Sequence, residues 1–176
     1  MGFALTATCL PAVTAAADRS AISIGLGAGS GRWHDGSGRA EVIQITYEKN
    51  GHQFALRVSG VADGTEGHDD SSDASDFGLL YGRVKNTRFA HLAVMAGLST
   101  TQVEYTIVPD RPSPSCRCIE VGQYENRRSV GVPLVAEASF RPFPALGLGV
   151  QAFANLNRNS AWGAVVIFAQ VGWMRH

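Results

Sequence analysis

The chain has 176 residues, enough for one domain. Its 15 Lys and Arg balance 15 Asp and Glu, so no basic excess invites nucleic acid and no acidic excess marks a solvating tail. Hydrophobic residues make up 45%, yet no apolar run reaches the roughly 18–20 residues of a spanning helix, so any membrane crossing falls to strands.

Phe3 to Val13 is apolar and nearly uncharged, and Thr14-Ala15-Ala16-Ala17-Asp18 follows. Ala15 and Ala17 fit an A-x-A cleavage site. Residues 1–17 are therefore expected to be an export signal, its basic opening stretch missing as in a truncated start, with residues 18–176 the mature domain. Cys9 follows Thr8, which argues against lipid attachment. Cys116 and Cys118 then remain in the mature chain, framed by Pro112, Pro114 and Ser115. Export leads to an oxidising compartment, so a local Cys116–Cys118 disulfide is the leading expectation. A metal site needs more ligands than this stretch supplies.

From Asp18 onward the pattern is period-two alternation, which sends alternate side chains to opposite faces of a strand. Ile22, Ile24, Leu26 and Ala28 alternate with Ser23, Gly25 and Gly27. Ile43, Ile45 and Tyr47 alternate with Gln44, Thr46 and Glu48, and Asn50-Gly51 then signals a tight hairpin into Phe54, Leu56 and Val58. Phe77–Val84 reads as a strand of open register, because Leu79, Leu80 and Tyr81 run together. Ala90 to Leu98 and Val130 to Phe140 alternate again. A proline-set turn at 141–145 leads to Leu146–Leu156, and a last strand spans 161–173. Eight strands result, none with a helical period.

The connections divide by length. Polar segments at 30–39, 61–75 and 100–129 are long, those at 49–52, 85–88 and 141–145 are tight, and 156–161 is modest. Short turns at one end and long loops at the other suit an outer-membrane barrel. One face of the strands is apolar. The other carries Ser23, Gln44, Thr46, Glu48, Arg57, Ser59, His91, Glu137, Ser139, Gln151 and Asn155, expected to form a packed polar interior. Trp33, Tyr47, Phe54, Phe77, Phe140, Phe143, Trp162 and Trp173 fall near strand ends, as interfacial girdles would. Gly25, Gly27, Gly29 and Gly31 read as glycines that permit bending and tight packing, since no helix follows them to make a phosphate loop.

Ile22 to Trp33, Leu79-Leu80-Tyr81-Gly82-Arg83, and the stretch GVPLVAEASFRPFPALGLGVQAFANLN with SAWGAVVIFAQVGW after it together resemble small outer-membrane β-barrel proteins. The group is the eight-stranded OmpA- and OmpX-like one. The resemblance implies an all-β, eight-stranded antiparallel up-and-down transmembrane barrel in the bacterial outer membrane.

Some barrels of this size act on lipid A, and a deacylase needs a lipid-facing His and Ser with an orienting carboxylate. His91 is the nearest candidate, but Phe89 and Ala93 flank it on its own face and its register points inward. Arg57 and Glu137 are candidates for an interior ion pair, because a lone buried charge costs several kcal/mol. The acidic run His68–Asp76 lacks the spacing of a calcium loop and reads as solvated surface. The expectation is a non-enzymatic, monomeric barrel without cofactor or metal. Its partners are outer-membrane lipids and, through the loops, a surface partner, and its role is envelope integrity or surface contact. The alternatives are an exported soluble lipocalin-like barrel with an apolar ligand inside, and a lipid A-modifying enzyme.

Overall fold

A computed structural model of the chain describes residues 20–33, 36–63, 72–107, 123–143, 145–158 and 161–173. Eight strands run in order as β1 (Ser20–Trp33), β2 (Gly36–Lys49), β3 (His52–Asp63), β4 (Ser72–Asn86), β5 (Ala90–Ile107), β6 (Gln123–Phe143), β7 (Leu146–Asn157) and β8 (Trp162–Trp173). Each pairs antiparallel with its chain neighbours. β1 closes on β8, from Ile22 opposite Trp173 to Trp33 opposite Trp162. Closure leaves the sheet without a first and a last strand, the condition for strands to cross lipid.

The alternation read from the sequence sets the faces. Ile22, Ile24, Leu26, Ile43, Ile45, Leu56, Val58, Leu92, Val94, Leu134 and Val150 all point outward and are exposed. Their neighbours Ser23, Gln44, Arg57, Glu137, Gln151 and Asn155 point inward and are buried. The open register of β4 resolves with Leu79 and Tyr81 outside and Leu80 inside. At the β2–β3 turn Asn50 and Gly51 take φ of 53° and 76°, the positive values that a type I′ turn demands. Within β1, a Cβ on Gly25 would stand 1.9 Å from Phe168 Cζ, so this glycine makes room for the ring.

Three expectations change. The first loop, expected at 30–39, is instead strand: Ser30 pairs with Arg39 and Trp33 with Gly36, leaving only 34–35 between β1 and β2. Its polar, glycine-rich composition suits strand ends that stand beyond the apolar belt, and mimics a loop in sequence. The connections expected at 61–75 and 100–129 contract to 64–71 and 108–122 for the same reason. Trp162 is not a girdle residue. It is 2% exposed and packs edge-on against Phe153 at 5.6 Å, which closes the interior near the loop end.

The interior is mixed rather than wholly polar. Val42, Ala55, Val61, Leu80, Met95, Val135, Phe153, Trp162, Val166 and Phe168 form one buried apolar cluster beside the polar side chains. The β5–β6 ladder skips Gly97 and Leu98 opposite Val132 and Pro133, where Pro133 has no N–H to give.

Candidate functional site

Two polar clusters occupy the barrel interior. The first sits toward the long-connection end and centres on Asp76 of β4. Arg57 Nη2 donates to Asp76 Oδ2 at 3.2 Å, and both side chains are fully buried. Ser59 Oγ donates to Asp76 Oδ1. Asn155 Nδ2 lies 2.7 Å from Asp76 Oδ2, 2.9 Å from Ser99 Oγ and 3.1 Å from Thr101 Oγ1. The Arg57 guanidinium lies 4.6 Å from the centre of the Phe153 ring, so its flat face is covered as well as its edge.

The expected pairing of Arg57 with Glu137 is therefore not the one made. Both residues point inward as read, but β3 and β6 stand apart around the barrel, whereas Asp76 is on the adjacent β4. There Ser59 pairs with Asp76 and Arg57 with Gly78, which puts Arg57 diagonal to the carboxylate. By composition Asp76 falls in the acidic run 68–76 that reads as solvated surface. The available signal was parity, because Asp76 shares the inward face with Gly78 and Leu80.

Glu137 anchors the second cluster, toward the tight-turn end. Gln170 Nε2 donates to Glu137 Oε1 at 3.0 Å and lies 2.8 Å from Ser139 Oγ. Gln151 Nε2 lies 3.4 Å from Glu137 Oε2 and 3.2 Å from Gln44 Oε1. Arg141 Nη2 donates to Gln170 Oε1 at 3.2 Å, and Arg141 Nη1 stands 3.8 Å from Glu48 Oε2. His91 Nδ1 donates to Asn86 Oδ1 at 2.8 Å, while Nε2 faces Glu137 Oε1 at 3.4 Å. That last contact is attractive only with a proton between the two atoms. The cross-strand neighbour of His91 is Ser139, whose hydroxyl is engaged by Gln170 and not by the imidazole. The arrangement is a structural network rather than an activated nucleophile.

Cys116 and Cys118, and the export segment 1–17, lie outside the described residues. Among the described residues no group of His, Cys, Asp and Glu is placed to hold a metal ion.

The outer surface has two zones. An apolar belt girdles the barrel. Above it on the long-connection side, β2 to β6 continue with Arg39, Glu41, Glu104, Asn126 and Arg128 exposed. A spanning strand needs about 9–11 residues, whereas β5 and β6 run for 18 and 21. Arg39 and Glu41 pair at 3.0 Å, and Gln102 donates to Glu104 at 3.0 Å. β6 meets β7 only from Gly131, so among the described residues Gln123–Val130 has β5 on one side and no strand on the other. The barrel thus rises as a wall on one side. A soluble lipocalin-like barrel places its apolar residues inside and its charges outside. The exposed Ile, Leu, Val and Phe belt reverses that order.

No family model and no curated protein matches the sequence. Solved structures do. Neisserial surface protein A superposes with a TM-score of 0.60 at 14% identity, over 86% of this chain and 96% of that one. Ail, the attachment invasion locus protein of Yersinia pestis, solved with the heparin analogue sucrose octasulfate, gives 0.59 at 17%, over 88% and 98%. A major outer membrane protein from Thermus thermophilus gives 0.65 at 11%, over 87% and 99%. These likenesses concern the fold, and with the exposed apolar belt they lead to one conclusion. The chain is an eight-stranded transmembrane β-barrel of the outer-membrane type.

Proposed function

We propose that this chain is a non-enzymatic barrel of the bacterial outer membrane, delivered by an export signal over residues 1–17, that serves envelope integrity or surface contact. The observation that carries the reading is the one-sided wall. β5 and β6 extend far past the apolar belt and end in the longest connection, 108–122. Polar, charged strands held clear of the lipid are a surface for meeting something outside. Two barrels of similar fold bear names of this kind, a surface protein and an attachment invasion locus protein. The interior supports a passive role, because a buried apolar cluster occupies it beside the two hydrogen-bonded polar clusters.

Topology tests the reading. Trypsin added to intact expressing cells should cleave at Arg117, in the 108–122 connection, and should spare Lys49 and Arg88 until the outer membrane is opened. Cleavage at Lys49 or Arg88 with 108–122 protected would invert the orientation. Equal cleavage at both ends in every fraction would return the protein to the periplasm as a soluble barrel.

The same reading includes a Cys116–Cys118 ring in the exposed connection. Alkylation of unfolded, non-reduced protein should therefore label neither cysteine. Removal of both should leave barrel stability unchanged, since the ring restrains few residues of the unfolded chain. Two freely labelled thiols would exclude the ring.

A further inference from the structure

A groove of about 1050 Å³ crosses the lipid-facing surface, and two neighbouring rows of the hydrogen-bond ladder build it. One row runs Tyr81, Ala96, Leu134, Ala154, Gly163, Arg32 from β4 through β8 to β1. The other runs Arg83, Val94, Ala136, Ala152, Val165, Ser30. Small side chains sit at the middle of the path, Ala96, Ala154 and Gly163 in the first row and Ala136 and Ala152 in the second. Five strand spacings give the groove a path of about 24 Å around the barrel. Strands in such barrels tilt, so the rows climb obliquely from the tight-turn end at β4 to the loop end at β1.

The lower mouth of the groove carries a directed chain of hydrogen bonds. Arg83 Nη1 lies 2.9 Å from His52 Nε2, and an arginine can only donate, so Nε2 accepts. The imidazole hydrogen is then on Nδ1, which donates to the Tyr81 hydroxyl oxygen at 2.6 Å. The hydrogen of the Tyr81 hydroxyl remains to be given onward. Phe54 holds the Tyr81 ring at 5.0 Å, and Lys85 follows on the same outer face of β4. A cation, an ordered O–H donor and an apolar trough meet at one point on the rim of the belt. That is the complement of an anionic phosphate joined to an extended hydrocarbon chain.

We propose that this groove is a specific site for one anionic glycerophospholipid, its phosphate on Arg83 and Tyr81 and one acyl chain along the alanine rows. The inference is independent of the surface-contact reading, because it concerns the lipid face and the opposite end of the barrel. His52 is a positioning residue that fixes the Tyr81 hydroxyl and the Arg83 guanidinium relative to each other.

The test uses the purified full-length chain in detergent micelles, titrated with phosphatidylglycerol and, separately, with diacylglycerol of the same chains. Retained lipid is counted by mass spectrometry of the intact complex. One phosphatidylglycerol should stay bound while diacylglycerol is stripped. Arg83→Gln should weaken retention about ten-fold, the worth of a charge-assisted hydrogen bond, and Tyr81→Phe by less. Arg158→Gln, exposed after β7 and outside the groove, should change nothing. Ala152→Phe, and separately Ala154→Leu, should abolish retention by filling the trough, with the heat-dependent gel mobility of the folded barrel as a check on folding. Equal retention of diacylglycerol would overturn the proposal, as would full retention in folded Ala152→Phe or loss in Arg158→Gln. Displacement by free glycerol phosphate would also overturn it, since the site would then hold a headgroup alone.

Discussion

Asp76→Ala is expected to destabilise the folded barrel by about 3–5 kcal/mol, because it strands the fully buried Arg57 guanidinium without its counter-charge. The same change removes the acceptor that Ser59 and Asn155 share. Urea unfolding in lipid vesicles, followed by tryptophan emission, measures the loss. The companion Arg57→Met/Asp76→Ala should recover most of it, since an apolar side chain can fill the site beside Phe153 at little cost. A single variant that lost under about 1 kcal/mol would mean that water reaches Arg57. A double variant as weak as the single would mean that packing, and not charge, is what Asp76 supplies.

The second large effect is on the outside. Val150 is 49% exposed in the middle of β7 and faces lipid. Val150→Arg should cost about 2–4 kcal/mol, the depth-dependent penalty of a guanidinium at the centre of the belt. Gln102→Arg, on the polar stretch of β5 above the belt, should cost about 0–1 kcal/mol by the same rule. The contrast between the two positions is the informative quantity, because both add the same side chain to an outer face. Equal penalties would remove the membrane from the explanation. Equal tolerance would mean that the belt never meets hydrocarbon.

Most of the architecture was legible in the sequence because a barrel wall repeats one rule. Period-two alternation put Ile22, Ile43, Leu56 and Val150 outside and Gln44, Arg57 and Gln151 inside, and each side chain obeys it. Asn50-Gly51 located its turn because only a positive φ at both positions fits there. Loop boundaries were less legible. Ser30–Arg32 and Arg39 look like loop by composition, since strand that leaves the lipid is free to be polar on both faces. The interior partnerships were the least legible. Which carboxylate Arg57 reaches depends on the stagger between β3 and β4, and alternation carries no information about stagger. Trp162 failed for a related reason: a large aromatic near a strand end suits either a girdle or a plug, and only parity within β8 decides between them. The groove on the lipid face was invisible, because its outward alanines are shared among β5, β6 and β7 and meet only through the register of those strands.

The junction of β1 with β8 constrains how this protein can be assembled and re-engineered. Ile22 must find Trp173 and Trp33 must find Trp162, across nearly the whole length of the chain. These are the costliest contacts in loop-closure entropy and the last for which a growing chain has both partners. Until they form, two strands each present a row of unpaired N–H and C=O groups, which hydrocarbon penalises heavily. Insertion and sealing are thereby coupled, and a chain that lacks either end strand gains little from the rest. The same junction brings Ser20 and Trp173 to one end of the barrel. A circular permutant that links them and opens at Thr87–Phe89 would therefore keep all eight pairings while exchanging which seam is zipped last.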